Sequence, residues 1–144
     1  MTLTWSHENP PQWDAAKKRQ IEAAAPGSLG VDKLSRFKEG DLIPGDWWRV
    51  EADGELVGYG WMDSTWGDAE ILLVVDPAHQ GKGVGSFILG KLEEEARSRG
   101  FFYLYNVIPK NHPDAEGVTA WLGKRNFAAY ADGSLRRSVI RPAT

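Results

Sequence analysis

Hydrophobic and polar residues follow two different periods along this chain, one helical and one typical of strands. In residues 12–25 the apolar positions recur at helical spacing and Pro26-Gly27 ends the pattern, which predicts a first helix. A shorter run of the same kind predicts a second helix over residues 31–37. Both helices precede the first segment with strand-like spacing.

Strand-like spacing begins near residue 47. Residues 48–52 and 56–62 flank Asp53-Gly54, a strong signal for a tight hairpin turn, and they predict two antiparallel strands. Residues 70–75 are almost continuously apolar, which is typical of a strand buried on both faces. This third strand is expected at the centre of the sheet.

The rest of the chain alternates helices with strands. Residues 83–99 predict a helix ended by Gly100, because four apolar residues recur at intervals of four: Val84, Ile88, Leu92 and Ala96. A strand over 101–108, a helix over 114–125 capped by Asp114, and a closing hairpin over 127–140 follow. The predicted order is ααβββαβαββ, with room for an extra strand before the first helix.

The amino-acid composition excludes several kinds of partner and chemistry, and it says less about the fold. A length of 144 residues predicts one domain, 1–144, and a net charge of −3 without blocks of like charge argues against a nucleic-acid partner. No apolar run could span a bilayer and the first residues lack signal-peptide features, so we expect a cytoplasmic protein with no membrane partner. The absence of cysteine excludes thiol catalysis, and the spacing of the three histidines predicts no metal site.

Candidate chemistry lies in the loop Gln80-Gly81-Lys82-Gly83-Val84-Gly85-Ser86, between the predicted central strand and its helix. Glycines allow a ligand to approach closely, and the unpaired amides at a helix N-terminus bind anions such as a pyrophosphate. A P-loop is excluded because the chain has no Lys-Ser or Lys-Thr pair. A dinucleotide fingerprint is excluded because Ser86 replaces the third small residue and no acidic residue stands near position 106. A turn that only packs tightly is the alternative.

The stretch from Val75 to Gly85 resembles the acyl-CoA signature of the GNAT superfamily of N-acyltransferases, because Gln80, Gly83 and Gly85 match its Gln/Arg-x-x-Gly-x-Gly/Ala pattern. The order of strands and helices extends the resemblance over about residues 45–140. It implies an α/β fold with a mixed, mostly antiparallel central sheet and helices on both faces. It also implies acetyl-CoA as the acyl donor.

The same resemblance assigns cofactor-binding residues. Amides from Gly81 to Ser86 would hold the pyrophosphate, with Lys82 adding a charge. The end of the central strand would offer its main chain to the pantetheine amides, and a later loop would touch the cofactor through Asn111. The complete set is Leu73, Val74, Val75, Gln80, Gly81, Lys82, Gly83, Val84, Gly85, Ser86 and Asn111.

Acyl transfer to an amine needs a group that removes a proton, and Glu70 is the candidate general base. Glu70 lies one residue closer to the Val-x-Pro stretch than in the commonest family pattern, and such a slip reverses the side of a sheet unless a bulge absorbs it. A solvated carboxylate at the start of a strand is the alternative reading. Asp63 and Asp68 are the next candidates.

The acid for the leaving thiolate is harder to assign. Leu122 stands where many family members carry a tyrosine, so Tyr105 is the candidate for this role, with Tyr103 and Tyr130 as alternatives. Asn126 replaces the family's glycine before Phe127, a change that asparagine tolerates because it also accepts left-handed backbone angles.

The early hairpin is rich in tryptophan. Four of the seven tryptophans lie on or beside it: Trp47, Trp48, Trp61 and Trp66. The family resemblance places the acceptor side here, and an aromatic wall would suit an apolar, planar or cationic substrate. Core packing is the alternative, and it explains Trp66 least well.

Together these features predict an acetyl-CoA-dependent N-acetyltransferase that acts by direct transfer. The expected acceptor is the amine of a small molecule or an amino-acid-like compound. The replacement of the family tyrosine by Leu122 keeps a second hypothesis open, an acyl-CoA-binding regulatory or assembly subunit with little catalytic activity. A homodimer is compatible with either function.

Overall fold

The protein is built on one seven-stranded sheet. The computed structural model describes residues 2–24, 37–108 and 114–139. Its elements are β1 (Leu3–His7), α1 (Ala15–Ala24), β2 (Asp46–Ala52), β3 (Glu55–Thr65), β4 (Asp68–Val75), a short 3-10 helix (Pro77–His79), α2 (Val84–Ser98), β5 (Tyr103–Asn106), α3 (Ala115–Gly123), β6 (Ala128–Ala129) and β7 (Leu135–Ser138). The strand order is β1-β2-β3-β4-β5-β7-β6, and of these pairings that of β4 with β5 is parallel while the rest are antiparallel.

These elements confirm the predicted mixed α/β fold with a mostly antiparallel sheet. The extra strand before the first helix exists as β1, at one edge of the sheet. Helix α1 begins at Ala15, later than predicted, because the Asp14 carboxylate accepts a hydrogen bond from the Lys17 amide (2.7 Å) and caps the first turn. Most of the helix predicted over 31–37 lies outside the described residues.

Tight turns join the central strands. Asp53 and Gly54 have φ values of 53° and 87°, the left-handed pair that a type I′ hairpin turn requires. Trp66 and Gly67, with φ values of 50° and 83°, make the next turn in the same way. These turns fix the register of β2 on β3 and of β3 on β4, which leaves β4 at the centre of the sheet as predicted.

Helices α1 and α2 cover opposite faces of the sheet. The larger core lies under α2, and its buried members include Trp48, Ile71, Ile88, Leu92, Leu104 and Leu122. The smaller core lies under α1, and its members are Trp13, Ile21, Ile43, Trp47, Tyr59 and Val74. Helix α2 approaches the sheet closely at Gly60, where an added Cβ would lie 2.5 Å from the Trp5 ring and 3.1 Å from Ile88. The two faces of β4 are therefore lined by different helices.

Candidate active site

Strands β4 and β5 pair over a short distance and then separate. Their register pairs are Asp68 with Tyr103, Ala69 with Leu104, and Glu70 with Tyr105. Beyond Glu70, β4 continues to Val75 and pairs with β3 alone. At the point of separation the Asn106 side chain donates a hydrogen bond from Nδ2 to the Ile71 carbonyl (2.8 Å). Within the part of the chain that the structure describes, the carboxyl-terminal half of β4 therefore has one open edge beside β5.

Two hydrogen bonds show which main-chain groups face this edge. The Asp76 amide donates to the Val57 carbonyl (2.8 Å), so even-numbered residues of this stretch point their main-chain groups at β3. The Asn106–Ile71 bond shows that odd-numbered residues point theirs at β5. Leu73 and Val75 therefore present amides and carbonyls to the gap. Val74, predicted with them, directs its main chain to β3 and buries its side chain under α1.

The glycine loop lies between the end of β4 and α2. Gly81 and Gly83 have φ values of 78° and 87°, and an added Cβ at either position would meet nothing within 4 Å. Glycine is thus required there by backbone conformation, and the space beside it is open. Gln80 and Lys82 have exposed side chains in the same loop.

The start of α2 offers unpaired amides. Gly83 is the N-cap residue and none of the described side chains caps the helix, whose first hydrogen bond runs from the Phe87 amide to the Gly83 carbonyl (3.0 Å). The amides of Val84, Gly85 and Ser86 precede this bond at the positive end of the helix dipole. This geometry makes the start of α2 suited to a phosphate-sized anion.

Two side chains reach the same loop, one from α3 and one from just beyond its end, and the sequence did not single them out as site residues. An added Cβ at Gly85 would lie 3.2 Å from the Trp121 ring, so the indole packs against the loop. Arg125 stacks on that indole, with its guanidinium carbon 3.7 Å from the ring centroid, and donates a hydrogen bond to the Ser86 hydroxyl (3.0 Å). The other loop residue predicted for the cofactor, Asn111, lies outside the described residues.

Candidate acid and base groups lie on the α1 face of the sheet, in one row across three strands. Glu70 on β4 is the register partner of Asp63 on β3 and of Tyr105 on β5, and register partners share a face. Glu70 is half-buried, as is Tyr105, whereas Asp63 is exposed. The structure therefore brings the predicted base and the predicted acid to adjacent positions at the start of the gap.

Asp68 is less suited to act as a base because it forms an ion pair with Arg136 (2.8 Å). Desolvation lowers the pKa of Arg136, but the hydrogen bond that its guanidinium donates to Asp68 and the negative charge of Asp132 outweigh desolvation and hold this pKa above its usual value. The guanidinium also lies over the Tyr105 ring, 4.8 Å from its centroid, and over the Tyr130 ring at 5.5 Å. Arg136 thus orders one side of this row of residues.

A model of the acetyltransferase (GNAT) family matches residues 5–118. The chain belongs to the GNAT acetyltransferase family. A sequence relative, the tRNA(Met) cytidine acetyltransferase of Thermofilum pendens, is 32% identical over 83 residues, which cover 56% of this chain and 10% of that protein. The chain thus spans about a tenth of the length of this relative.

Solved structures show the same fold. The ribosomal-protein-S18-alanine N-acetyltransferase of Escherichia coli has a TM-score of 0.62 at 14% identity, with 99% of this chain and 97% of that chain covered. The N-acetylglutamate synthase of Neisseria gonorrhoeae, solved with coenzyme A and N-acetyl-glutamate, has a TM-score of 0.66 at 17% identity, with 96% and 36% covered. The family fold thus accepts coenzyme A in at least one relative.

The prediction of an aromatic wall on the early hairpin of this GNAT domain is wrong for two of the four tryptophans. Trp47 and Trp48 are both 2% exposed and lie on opposite faces of the sheet, one in each core. Adjacent strand residues must alternate between faces, so they cannot form one wall. Trp61 is half-buried on the α1 face, and its indole donates to the Pro44 carbonyl (3.1 Å). Trp66 is 97% exposed at the turn after β3, so core packing does not explain it.

Near the end of α3 the chain departs from the family as the sequence indicated. Leu122, at the family tyrosine position, is 2% exposed and packs in the core under α2. Asn126 adopts the left-handed conformation that its replacement of glycine predicts, with a φ of 69°. Asp114 caps α3 by accepting a hydrogen bond from the Gly117 amide (3.2 Å).

Among residues 2–24, 37–108 and 114–139, no helix is long and apolar enough to cross a membrane.

Proposed function

We propose that residues 1–144 form one acyltransferase domain that uses acetyl-CoA to acetylate the amine of a small molecule or an amino-acid-like acceptor by direct transfer. The observation that carries this proposal is the β4–β5 gap. The anion-binding start of α2 lies at one end of the gap and the Glu70–Tyr105 pair at the other. From Glu70 to Val75 the strand spans about 16 Å at the usual rise per residue.

The residues along the gap fit the chemistry of coenzyme A. A pyrophosphate suits the amides of Val84, Gly85 and Ser86. An arm that carries amides suits the outward main-chain groups of Val75 and Leu73, to which no main chain within residues 2–24, 37–108 and 114–139 bonds at this edge of β4. Bound acetyl-CoA would supply the acetyl group as an activated thioester.

We assign Glu70 as the general base and Tyr105 as the general acid of the acyl transfer. In this proposal the Glu70 carboxylate accepts the proton that the acceptor's ammonium must lose before its nitrogen can form a bond to carbon. The Tyr105 hydroxyl donates a proton to the thiolate sulfur as the carbon–sulfur bond breaks. Because the two residues are register partners, both protons move at one place on the sheet.

The acceptor is expected on the α1 face, beside this pair. Leu72 and Trp61 are register partners there, both half-buried, and they lie next to the carboxylates of Glu70 and Asp63. An apolar surface beside negative charge favours a cationic amine with an apolar part. The names of relatives refer to acceptors as different as a tRNA, a ribosomal-protein alanine and an amino acid, and the experiment below includes each of these classes.

The alternative function, an acyl-CoA-binding subunit with little activity, is favoured by one observation. Leu122 replaces the family tyrosine and is buried, so α3 provides no phenol at that position. Two measurements separate the hypotheses: calorimetric binding of acetyl-CoA, and release of free CoA thiol with a panel of amino acids, polyamines, an alanine-starting peptide and tRNA. Turnover with a small amine supports our proposal. Binding without turnover on any acceptor supports the alternative, and absence of binding contradicts both.

A further inference from the structure

We infer that Arg125, which lies just beyond α3, binds the pyrophosphate of coenzyme A together with the start of α2. This inference rests on the proposed use of acetyl-CoA. It adds to the glycine loop a side chain that is 39 residues away from Ser86 in the sequence. Three observations support it: the position of the guanidinium, its charge balance and the way its orientation is fixed.

The guanidinium lies directly beside the anion-binding amides. Its Nη2 donates a hydrogen bond to the hydroxyl of Ser86 (3.0 Å), and the amide of Ser86 is one of those that precede the first hydrogen bond of α2. An anion held by these amides would therefore lie within reach of the same side chain. Lys82, the charge that the sequence assigned to this role, is on an exposed part of the loop.

The charge of Arg125 is not balanced within the described residues. Four other arginines form ion pairs with carboxylates: Arg97, Arg99, Arg136 and Arg137. Arg125 is half-buried, yet no carboxylate of residues 2–24, 37–108 or 114–139 lies within 4.0 Å of it. A partly desolvated cation beside the positive end of a helix dipole is unfavourable unless an anion joins them. A bound pyrophosphate would supply that negative charge.

The guanidinium is also held in place before any ligand binds. It stacks on the Trp121 indole at 3.7 Å, and its Nη1 donates to the Trp121 carbonyl (3.0 Å). A guanidinium has five N–H donors, and these two bonds use one on each terminal nitrogen, so further donors remain. Because the side chain is already ordered, its contact with a phosphate loses little conformational entropy.

The test compares Arg125→Gln with Lys124→Gln, a matched control that removes the same charge from the neighbouring exposed residue. Each protein is titrated calorimetrically with CoA and with dephospho-CoA, which keeps the pyrophosphate and lacks the 3′-phosphate. We expect Arg125→Gln to weaken both ligands by about tenfold, the worth of a charge-assisted hydrogen bond, and Lys124→Gln to change either by less than about twofold. Arg125→Lys should recover part of the affinity, because it keeps the charge and loses the planar fork.

Three results would overturn the inference while leaving the proposed function intact: unchanged affinity in Arg125→Gln, an equal loss in Lys124→Gln, or a loss with CoA that disappears with dephospho-CoA. The last result would assign Arg125 to the 3′-phosphate instead. Failure of the unaltered protein to bind either ligand would contradict the proposed function itself. If Arg125→Gln does not fold, the comparison of Arg125→Lys with Lys124→Gln decides, with a loss of at least about threefold in Arg125→Lys expected.

Discussion

The side-chain amide of Asn106 donates a hydrogen bond to the main-chain carbonyl of Ile71, 2.8 Å away, one residue beyond the last register pair of β4 and β5. The side chain takes the place of a main-chain donor from β5, so the Ile71 carbonyl is satisfied while the strands part. Leu73 and Val75 are thereby left to face the gap. A single asparagine thus marks where the parallel ladder ends and the proposed cofactor groove begins.

Replacing Asn106 by Asp should weaken this junction. The carboxylate has the same shape but cannot donate, and it faces the Ile71 carbonyl oxygen with a negative charge. We expect the free energy of unfolding to fall by about 1–3 kcal/mol, the usual cost of an unsatisfied polar group, and the affinity for CoA to fall with it. Chemical denaturation and calorimetry measure the two effects. Asn9→Asp, the same change at an exposed position, is the control, and equal behaviour of the two variants would contradict the role of Asn106.

Two substitutions in the glycine loop separate the effect of a negative charge on CoA affinity from the effect of backbone strain. Gly83→Asn and Gly83→Asp both place a side chain of the same size at a φ of 87°, and they differ by one negative charge. If the start of α2 binds the pyrophosphate, Gly83→Asp should bind CoA far more weakly than Gly83→Asn, because the carboxylate would occupy and repel the anion site. Calorimetry with both variants measures the difference. Equal affinities would show that the anion lies elsewhere.

Local sequence signals predicted much of the fold because they reflect local conformational needs. Asp53-Gly54 and Gly100 all adopt positive φ angles, so the hairpin turn and the end of α2 were readable directly. Strand β1 carries a weaker sequence signal because its five residues form a short edge strand, whose pairing with β2 depends on residues more than 40 positions away. Trp47 and Trp48 are buried on opposite faces of the sheet because neighbouring residues of a strand alternate between its faces, and this alternation is incompatible with one aromatic wall.

The site was less predictable because its contacts join distant parts of the chain. The Asn106–Ile71 hydrogen bond spans 35 residues and the Arg125–Ser86 hydrogen bond spans 39. Motif spacing identifies the glycine loop, whose conformation is local, but it carries no information about which side chain α3 brings to that loop. The spacing of Trp121 and Arg125, one helical turn apart, becomes informative only once the indole is known to pack on Gly85.

The ion pairs of Asp46 should make stability depend on acid pH. Its carboxylate contacts His7 (3.1 Å) and Arg99 (2.7 Å), which joins β2 to β1 and to the end of α2. Desolvation raises the pKa of Asp46, but the hydrogen bonds and charges of Arg99 and His7 outweigh it and hold this pKa below its usual value of 3.8. A depressed folded pKa stabilises the protein above the pKa of the unfolded chain, and this contribution disappears as pH falls through the folded value.

Asp46→Asn should therefore unfold more easily than the unaltered protein at pH 7, by about 0.5–1 kcal/mol for these partly exposed pairs. The difference in free energy of unfolding should shrink as pH falls below about 4, because the carboxyl of the unfolded chain takes up a proton there while the folded one is still ionised. Urea denaturation across this pH range measures it. Asp53→Asn, in an exposed turn that favours either residue, is the matched control, and a difference in Asp46→Asn that does not change with pH would contradict the assignment.

Lys17 is a fully buried cation, 0% exposed, paired with Glu8 (2.6 Å) and Asp14 (3.3 Å) under α1. Lys17→Met should lower the free energy of unfolding by about 3–5 kcal/mol, because it leaves the largely buried Glu8 carboxylate without its counter-ion. Adding Glu8→Gln should recover part of that loss by removing the unpaired charge. Lys18→Met, at the neighbouring exposed position, should cost less than about 0.5 kcal/mol. A small effect of Lys17→Met, or no recovery in the double variant, would contradict the role of the buried pair.

The most direct test of the proposed chemistry is the pH profile of turnover for Glu70→Gln beside the unaltered protein, with one working amine acceptor and Asp63→Asn as the matched control. If Glu70 removes the ammonium proton, Glu70→Gln should turn over about 10²–10⁴-fold more slowly at neutral pH while its affinity for CoA stays unchanged. The deficit should shrink as pH rises, because more of the acceptor is already neutral. Asp63→Asn should remain within about threefold of the unaltered protein, well short of the general-base range. Parallel curves for Glu70→Gln and the unaltered protein, less than about threefold apart at every pH, would contradict the assignment of Glu70 as the base.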